Sequence, residues 1–321
     1  MRKVLCMVAV AIPSLVLMVA RADTYPSRPV RIIVPFGVGS AGDIVARLVA
    51  MQLSADLGRP FVVDNRTGAS GTIGAELAYR APADGHTLVL SSAAMAITAS
   101  AYPGLNYDST RFRSITVMTH SALALAANVS LPVASVAQFV EYAKANPGRI
   151  SFGSLGIATS HHVTAEKLKL DTGVQMVHIP YKGSGAAHTD LIGGHIQVMF
   201  DNVVALLPHF RSGTIRPLAV SSRTRHPLLP GVPTLAESGV KDFEAVVWTG
   251  LAAPPGTPSE TIGRLNAAAV QVLAKAEIRA RLIDGGFAVI GNSAQEADEF
   301  LRSEIERWGA VIRSAKITLT P

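Results

Sequence analysis

One local pattern, met twice, limits what this chain can fold into. Arg31 to Phe36 is a short run of β-formers. It leads into a turn of mostly small residues, Gly37-Val38-Gly39-Ser40-Ala41-Gly42, and then into Asp43 to Leu57, where Ile44, Leu48, Met51 and Leu53 recur near helical spacing before Gly58. The same strand, turn and helix return at Arg149 to Gly153, Ser154 to Ser160 and onward from His161. Strands alternating with helices predict a mostly parallel sheet with helices on both faces.

The rest of the chain repeats that rhythm. Further strands are expected at Phe61 to Asp64, Thr87 to Ser91, Gln175 to Ile179, Gln197 to Asp201, Arg216 to Ser221 and Val246 to Ala252. Helices are expected at Val136 to Ala145, Ser259 to Lys275 and Ala294 to Ala315, the last two packing back onto the first half. Two similar openings predict an α/β chain of two lobes, residues 23–123 with 246–321 and residues 124–245, each a mostly parallel sheet flanked by helices. Composition allows it: 49% of residues are apolar and 16% charged, enough to fill two cores.

Met1-Arg2-Lys3, the apolar run Val4 to Ala20 and the small-x-small triplet Ala20-Arg21-Ala22 have the three zones of a secretory signal peptide, residues 1–22. The run is short for a bilayer span and has Pro13 in its middle. Cys6, the single cysteine, would leave with the leader, so the mature chain is expected to have no disulfide and no thiolate metal site. Loss of Arg2, Lys3 and Arg21 takes the formal charge from +6 to +3, without a Lys/Arg block, and no nucleic-acid partner is expected.

The turn at 37–42 reads G-x-G-x-x-G and has Asp64 at the end of the next strand, the written fingerprint of a dinucleotide site. A secreted dinucleotide-binding enzyme is therefore one alternative. Pro35 and Phe36 lengthen the step from strand to turn, and soluble nicotinamide cofactor is scarce outside the cytoplasm, so no cofactor is expected. The physics beneath the motif is more general. Small residues let a guest approach the backbone, and the free N–H groups of a helix's first turn attract an anion. Ser154, Thr159 and Ser160 offer hydroxyls at the second turn. Charge-assisted hydrogen bonds contribute about 1.5–3 kcal/mol each and micromolar binding needs about 8 kcal/mol, so four or five such donors suffice without a cation.

The stretches PFGVGSAGD (35–43), DNRTGASGTIGAE (64–76), SLGIATSHH (154–162), VHIPYKGSGAAHTDLIGGHIQVMFDN (177–202), LPGVPTLAESG (229–239) and WTGLAAPPGTP (248–258) resemble, in order and spacing, the Bug-type solute receptors of tripartite tricarboxylate transporters. The resemblance implies a type II-like periplasmic binding protein, a monomer with no catalytic role, whose two lobes close on a small organic carboxylate. The guest would be a di- or tricarboxylate, an acidic amino acid or an aromatic acid, handed to integral-membrane transporter subunits. It also implies that Phe36, Gly39, Ser40, Ala41 and Asp43 line one side of the cleft. Ser154, Gly156, Ala158, Thr159, Ser160 and His162 would line the other, with Tyr181, Lys182 and Asp201 at the rim and floor. Ser40, Gly42, Ser70 and Ala158 depart from the family's usual residues.

Read without the resemblance, Asp201 is either an acceptor for the guest or a satisfied buried carboxylate, and Lys182 a distal cation or a solvated loop lysine. His161, His162, His178, His188 and His195 have no metal-ligand spacing, and no metal is expected. There is no G-x-S-x-G elbow. A sensory receptor presenting its ligand to a signalling kinase remains a further alternative, since it would use the same closed form.

Overall fold

The computed structural model describes residues 25–319, so the proposed leader and Cys6 lie outside the described residues. The chain runs β1 (Val30–Val34), α1 (Ala41–Leu57), β2 (Phe61–Asn65), α2 (Thr72–Tyr79), β3 (Thr87–Ser92), α3 (Ala93–Ala101) and β4 (Arg113–Asn128). It continues through α4 (Val136–Ala145), β5 (Ile150–Ser154), α5 (Ser160–Thr172), β6 (Met176–Pro180), α6 (Ser184–Gly193), β7 (Val198–Asn202), α7 (Val203–Ser212) and β8 (Ile215–Val220). It closes with β9 (Val246–Ala253), α8 (Ser259–Ala274), α9 (Ala276–Asp284), β10 (Ala288–Val289) and α10 (Ala294–Ser314). This is the two-lobed α/β architecture expected, and polar side chains cap its helices: Ser40 caps α1, Thr159 caps α5, and Ser293 with Glu296 forms a capping box on α10.

The strands lie in the order β2-β1-β3-β9-β4-β7-β5-β6, with β8 and β10 also paired to β4. Parallel pairing is confined to β2-β1-β3 and β6-β5-β7, while β4, β8, β9 and β10 pair antiparallel, so the sheet is mixed. The sixteen-residue β4 links the two parallel sets: Arg113 to Ala122 pairs with β9, and Leu123 to Asn128 with β7 and β8.

This shared strand fixes how the two halves face. β3 is antiparallel to β9 and β9 to β4, so β1–β3 run with β4, toward its second half. β5–β7 run against β4, toward its first half. The C-terminal ends of both sets therefore point at the crossing between Ala122 and Leu123. Ser92, at the end of β3, is level through Thr249 with Thr119, whereas Asn202, at the end of β7, is level with Leu123. Four residues of extended chain separate the two rims, about 13 Å along the strand.

The first half is filled by Ile32, Val34 and Leu90 against Val45, Val49 and Leu53 of α1 and Leu265 and Val272 of α8. In the second, Phe152 packs with Phe139, Val163 and Leu168. Each such side chain contributes roughly 1.5–3 kcal/mol by leaving water. α8 packs on α1 as anticipated, but α10 lies against α3, β4 and also α5, bridging both halves. There Glu304 of α10 is buried, accepting the indole N–H of Trp248 at 2.8 Å and of Trp308 at 3.0 Å.

Candidate functional site: two helix starts facing one cleft

The loop after β1 is held from within. Asp43 is buried, and its carboxylate accepts the Gly39 amide at 2.9 Å, Arg47 Nε at 3.0 Å and Asn65 Nδ2 at 2.8 Å. Asn65 also donates to the Phe36 carbonyl at 2.9 Å, tying the loop to β2. Burial alone would raise the Asp43 carboxyl, but the bonds from Arg47, Asn65 and Gly39 outweigh it and hold it down to about 2. Asp43 thus spends its oxygens on the loop. The Ser40 hydroxyl accepts the Asp43 amide at 3.3 Å. Among the described residues, nothing accepts from the amides of Ala41 and Gly42, the first two of α1.

The loop after β5 is built on the same plan with different parts. The Ser154 hydroxyl is fully buried, shares a hydrogen bond with His178 Nε2 at 2.6 Å and reaches the Gly156 carbonyl at 3.1 Å. Gly156, at φ +120°, holds a backbone conformation open essentially to glycine alone. Thr159 Oγ1 donates to the Gly156 carbonyl at 2.8 Å, and His162 Nδ1 accepts the Ala158 amide at 3.1 Å. His162 stacks on His178, which stacks on Phe152. The Ser160 and His161 amides, first in α5, have no acceptor among the described residues.

Beneath this loop, Asp201 at the end of β7 accepts His161 Nε2 at 3.1 Å and His188 Nε2 at 2.8 Å, and the Asn202 amide at 2.7 Å. Burial opposes the charge, but the two histidines and the amide hold Asp201 well below the usual carboxylate range. Asp201 is therefore a satisfied buried carboxylate, one of the two readings its sequence allowed. Tyr181 donates to Asp190 at 2.7 Å; burial and that neighbouring carboxylate push its hydroxyl up to about 12. Lys182 is exposed and in no ion pair among the described residues.

The fold gathers Phe36, Gly39, Ser40, Ala41 and Asp43 at one rim and Ser154, Gly156, Ala158, Thr159, Ser160 and His162 at the other. Within each loop, the Asp43, Ser154, Thr159 and His162 side chains are engaged internally, while the amides of Ala41, Gly42, Ser160 and His161 keep no acceptor among the described residues. Sequence reasoning missed Arg47, Asn65, His161 and His188 as the residues that set this geometry. Arg47 was legible, four residues after Asp43 on one helix face. His161 and His188 meet only because β7 brings Asp201 between α5 and α6. Asp64, the acidic residue of the dinucleotide fingerprint, pairs with Arg66 at 3.1 Å and Arg31 at 3.5 Å. No group of three potential metal ligands occurs among the described residues.

Comparison with known proteins agrees with this architecture. Residues 45–317 match the family model described as tripartite tricarboxylate transporter family receptor. BugT of Bordetella pertussis is 38% identical over 296 residues, 91% of this chain and 90% of BugT. Among solved structures, R. palustris Rpa4515 with adipate is 35% identical with a TM-score of 0.78, covering 92% of this chain and 99% of that one. MatC from Rhodopseudomonas palustris with bound malate is 29% identical with a TM-score of 0.75, covering 90% and 100%. The chain belongs to the family of tripartite tricarboxylate transporter receptors, the Bug-type solute-binding proteins.

Proposed function

We propose that this protein is a monomeric periplasmic receptor, exported by its cleaved leader, which captures a small organic carboxylate and delivers it to the membrane subunits of a tripartite tricarboxylate-type transporter. The lobes are residues 23–123 with 246–321 and residues 124–245, a division supported by the change of β4's partners between Ala122 and Leu123. The guest lies between Phe36 to Asp43 and Ser154 to His162, with Tyr181, Lys182 and Asp201 nearby.

One observation carries this reading. Two helices, α1 and α5, begin with unpaired amides at strand ends that point toward one crossing from opposite sides. Each start carries the positive end of a helix dipole, the sign that suits a carboxylate. The adipate and malate in two relatives have the chemistry such a site would hold. The protein supplies binding and closure and no bond-breaking step.

A thermal-shift screen of the mature protein against a carboxylate panel tests it. A ligand at 100 times its dissociation constant stabilises by about 2.7 kcal/mol, a displacement of several degrees. Gly156→Val, which places a β-branched residue at φ +120°, should abolish that shift while circular dichroism stays native. A panel without a single shift would overturn the reading.

A further inference from the structure

A groove leads away from the first of the two loops, at the start of α1. A cavity of about 800 Å³ opens between the halves, running from Ala41, at the start of α1, past Ser121 and Asn202 at the crossing, to Leu282 and Phe287. Its volume is that of a small-molecule site. Along one wall, Ala41, Ile44, Leu48 and Met51 follow at intervals of three and four, so they share a face of α1 for about 15 Å. Val204 of α7 lines the opposite wall. Ile44, Met51 and Val204 are 54%, 52% and 39% exposed, three large apolar side chains left wet along one channel.

The polar groups of the groove are mostly spent. The Ser121 hydroxyl donates to Asn202 Oδ1 at 3.3 Å, and Arg47 is held by Asp43 and by Asn65 Oδ1 at 2.8 Å. A guest carrying several hydroxyls or an ammonium would find few free acceptors along this wall. Arg281 adds positive charge at the rim, the sign that suits an anion.

We infer that this receptor selects carboxylates with an apolar body, a straight aliphatic chain or an aromatic ring, whose carboxylate sits at the unpaired amides of α1 and α5 and whose body lies along Ile44, Leu48, Met51 and Val204. The inference rests on the receptor reading above and narrows it: compact hydroxylated acids such as malate and citrate are the disfavoured class. One end of the guest is gripped by backbone, the other by the hydrophobic effect.

Isothermal titration of the full mature protein with hexanoate, benzoate, malate and citrate tests this. Hexanoate or benzoate should bind about ten-fold or more tightly than malate and citrate, the scale set by burying a few methylene groups. Ile44→Asn and Val204→Asn, both at partly exposed positions, should each weaken the apolar acids about ten-fold while melting near the parent temperature. Malate or citrate binding as tightly as the apolar acids, or both variants keeping the parent's preference, would overturn the inference and leave the receptor reading standing. Silence from all four acids would overturn both.

Discussion

The imidazoles of His162 and His178 lie face to face, their ring centroids 3.8 Å apart and their planes 11° from parallel. Each steadies a different part of the same loop, His162 through the Ala158 amide and His178 through the Ser154 hydroxyl. Two cations could not occupy that stack. Burial, reinforced by His162, holds the His178 imidazole down to about 4.

A pH dependence follows from this stack. A histidine whose folded value lies below its unfolded value of about 6.5 binds fewer protons folded than unfolded, so its contribution is complete above pH 6.5 and is lost as pH falls toward 4. Urea titrations at pH 7.5 and 4.5 should differ by about 2 kcal/mol from this group. His178→Phe, which keeps an aromatic ring in the stack, should flatten the profile. An unchanged slope would show that other groups carry it.

Asp43 holds the first loop by three partners, so its removal should act on stability and binding together. Asp43→Ala should cost about 2 kcal/mol in chemical denaturation, because Asn65 and the Gly39 amide lose their acceptor. Carboxylate affinity should fall about ten-fold as the amides of Ala41 and Gly42 lose their fixed direction. Titration calorimetry reads the second effect, and undiminished affinity would mean that the loop is held by its backbone alone.

Glu304 is more exacting. It accepts from both tryptophans of the chain and from Arg307, and burial raises its carboxyl above the usual range despite those donors. Glu304→Leu should cost about 3–5 kcal/mol, since both buried indole N–H groups would lose their acceptor and Arg307 its carboxylate partner. A shift in tryptophan emission should accompany the loss, because both fluorophores change their surroundings at once.

Gly286 sits at φ +79° in the turn after α9, and a methyl group there would come within 2.0 Å of Val204 Cγ2 on α7. Gly286→Ala should therefore destabilise by about 1–3 kcal/mol and press the two halves apart beside the crossing. Adding Val204→Ala should recover the part due to the clash but not the part due to backbone strain. A double-mutant cycle by thermal melting separates the two.

How much of this was legible depends on whether the signal was local. The strand, turn and helix at both openings, the helix at Val136 to Ala145 and the long C-terminal helix could be read because small-residue turns, glycine stops and apolar spacing are all neighbours in sequence. β4 was missed. Its first half alternates hydroxyl and apolar residues and its second is a continuous apolar run, so neither single period covers it, and its two sets of partners lie far away in the chain. For the same reason the sheet was expected to be more parallel than it is. The two turns announced themselves as helix starts, but that Asp43, Ser154 and His162 serve the loops themselves depends on Asn65, His178 and the fold of the strands between.

Because one unbroken strand links the two parallel sets and α10 leans on helices from each, one of the hydrophobic cores runs through both halves of this molecule. Exchanging a whole half between relatives would sever hydrogen-bond ladders on both sides of β4. Grafting the short segments after β1 and β5 would leave the ladders whole. New specificities in such a receptor are thus more readily obtained by trading loops than by recombining domains.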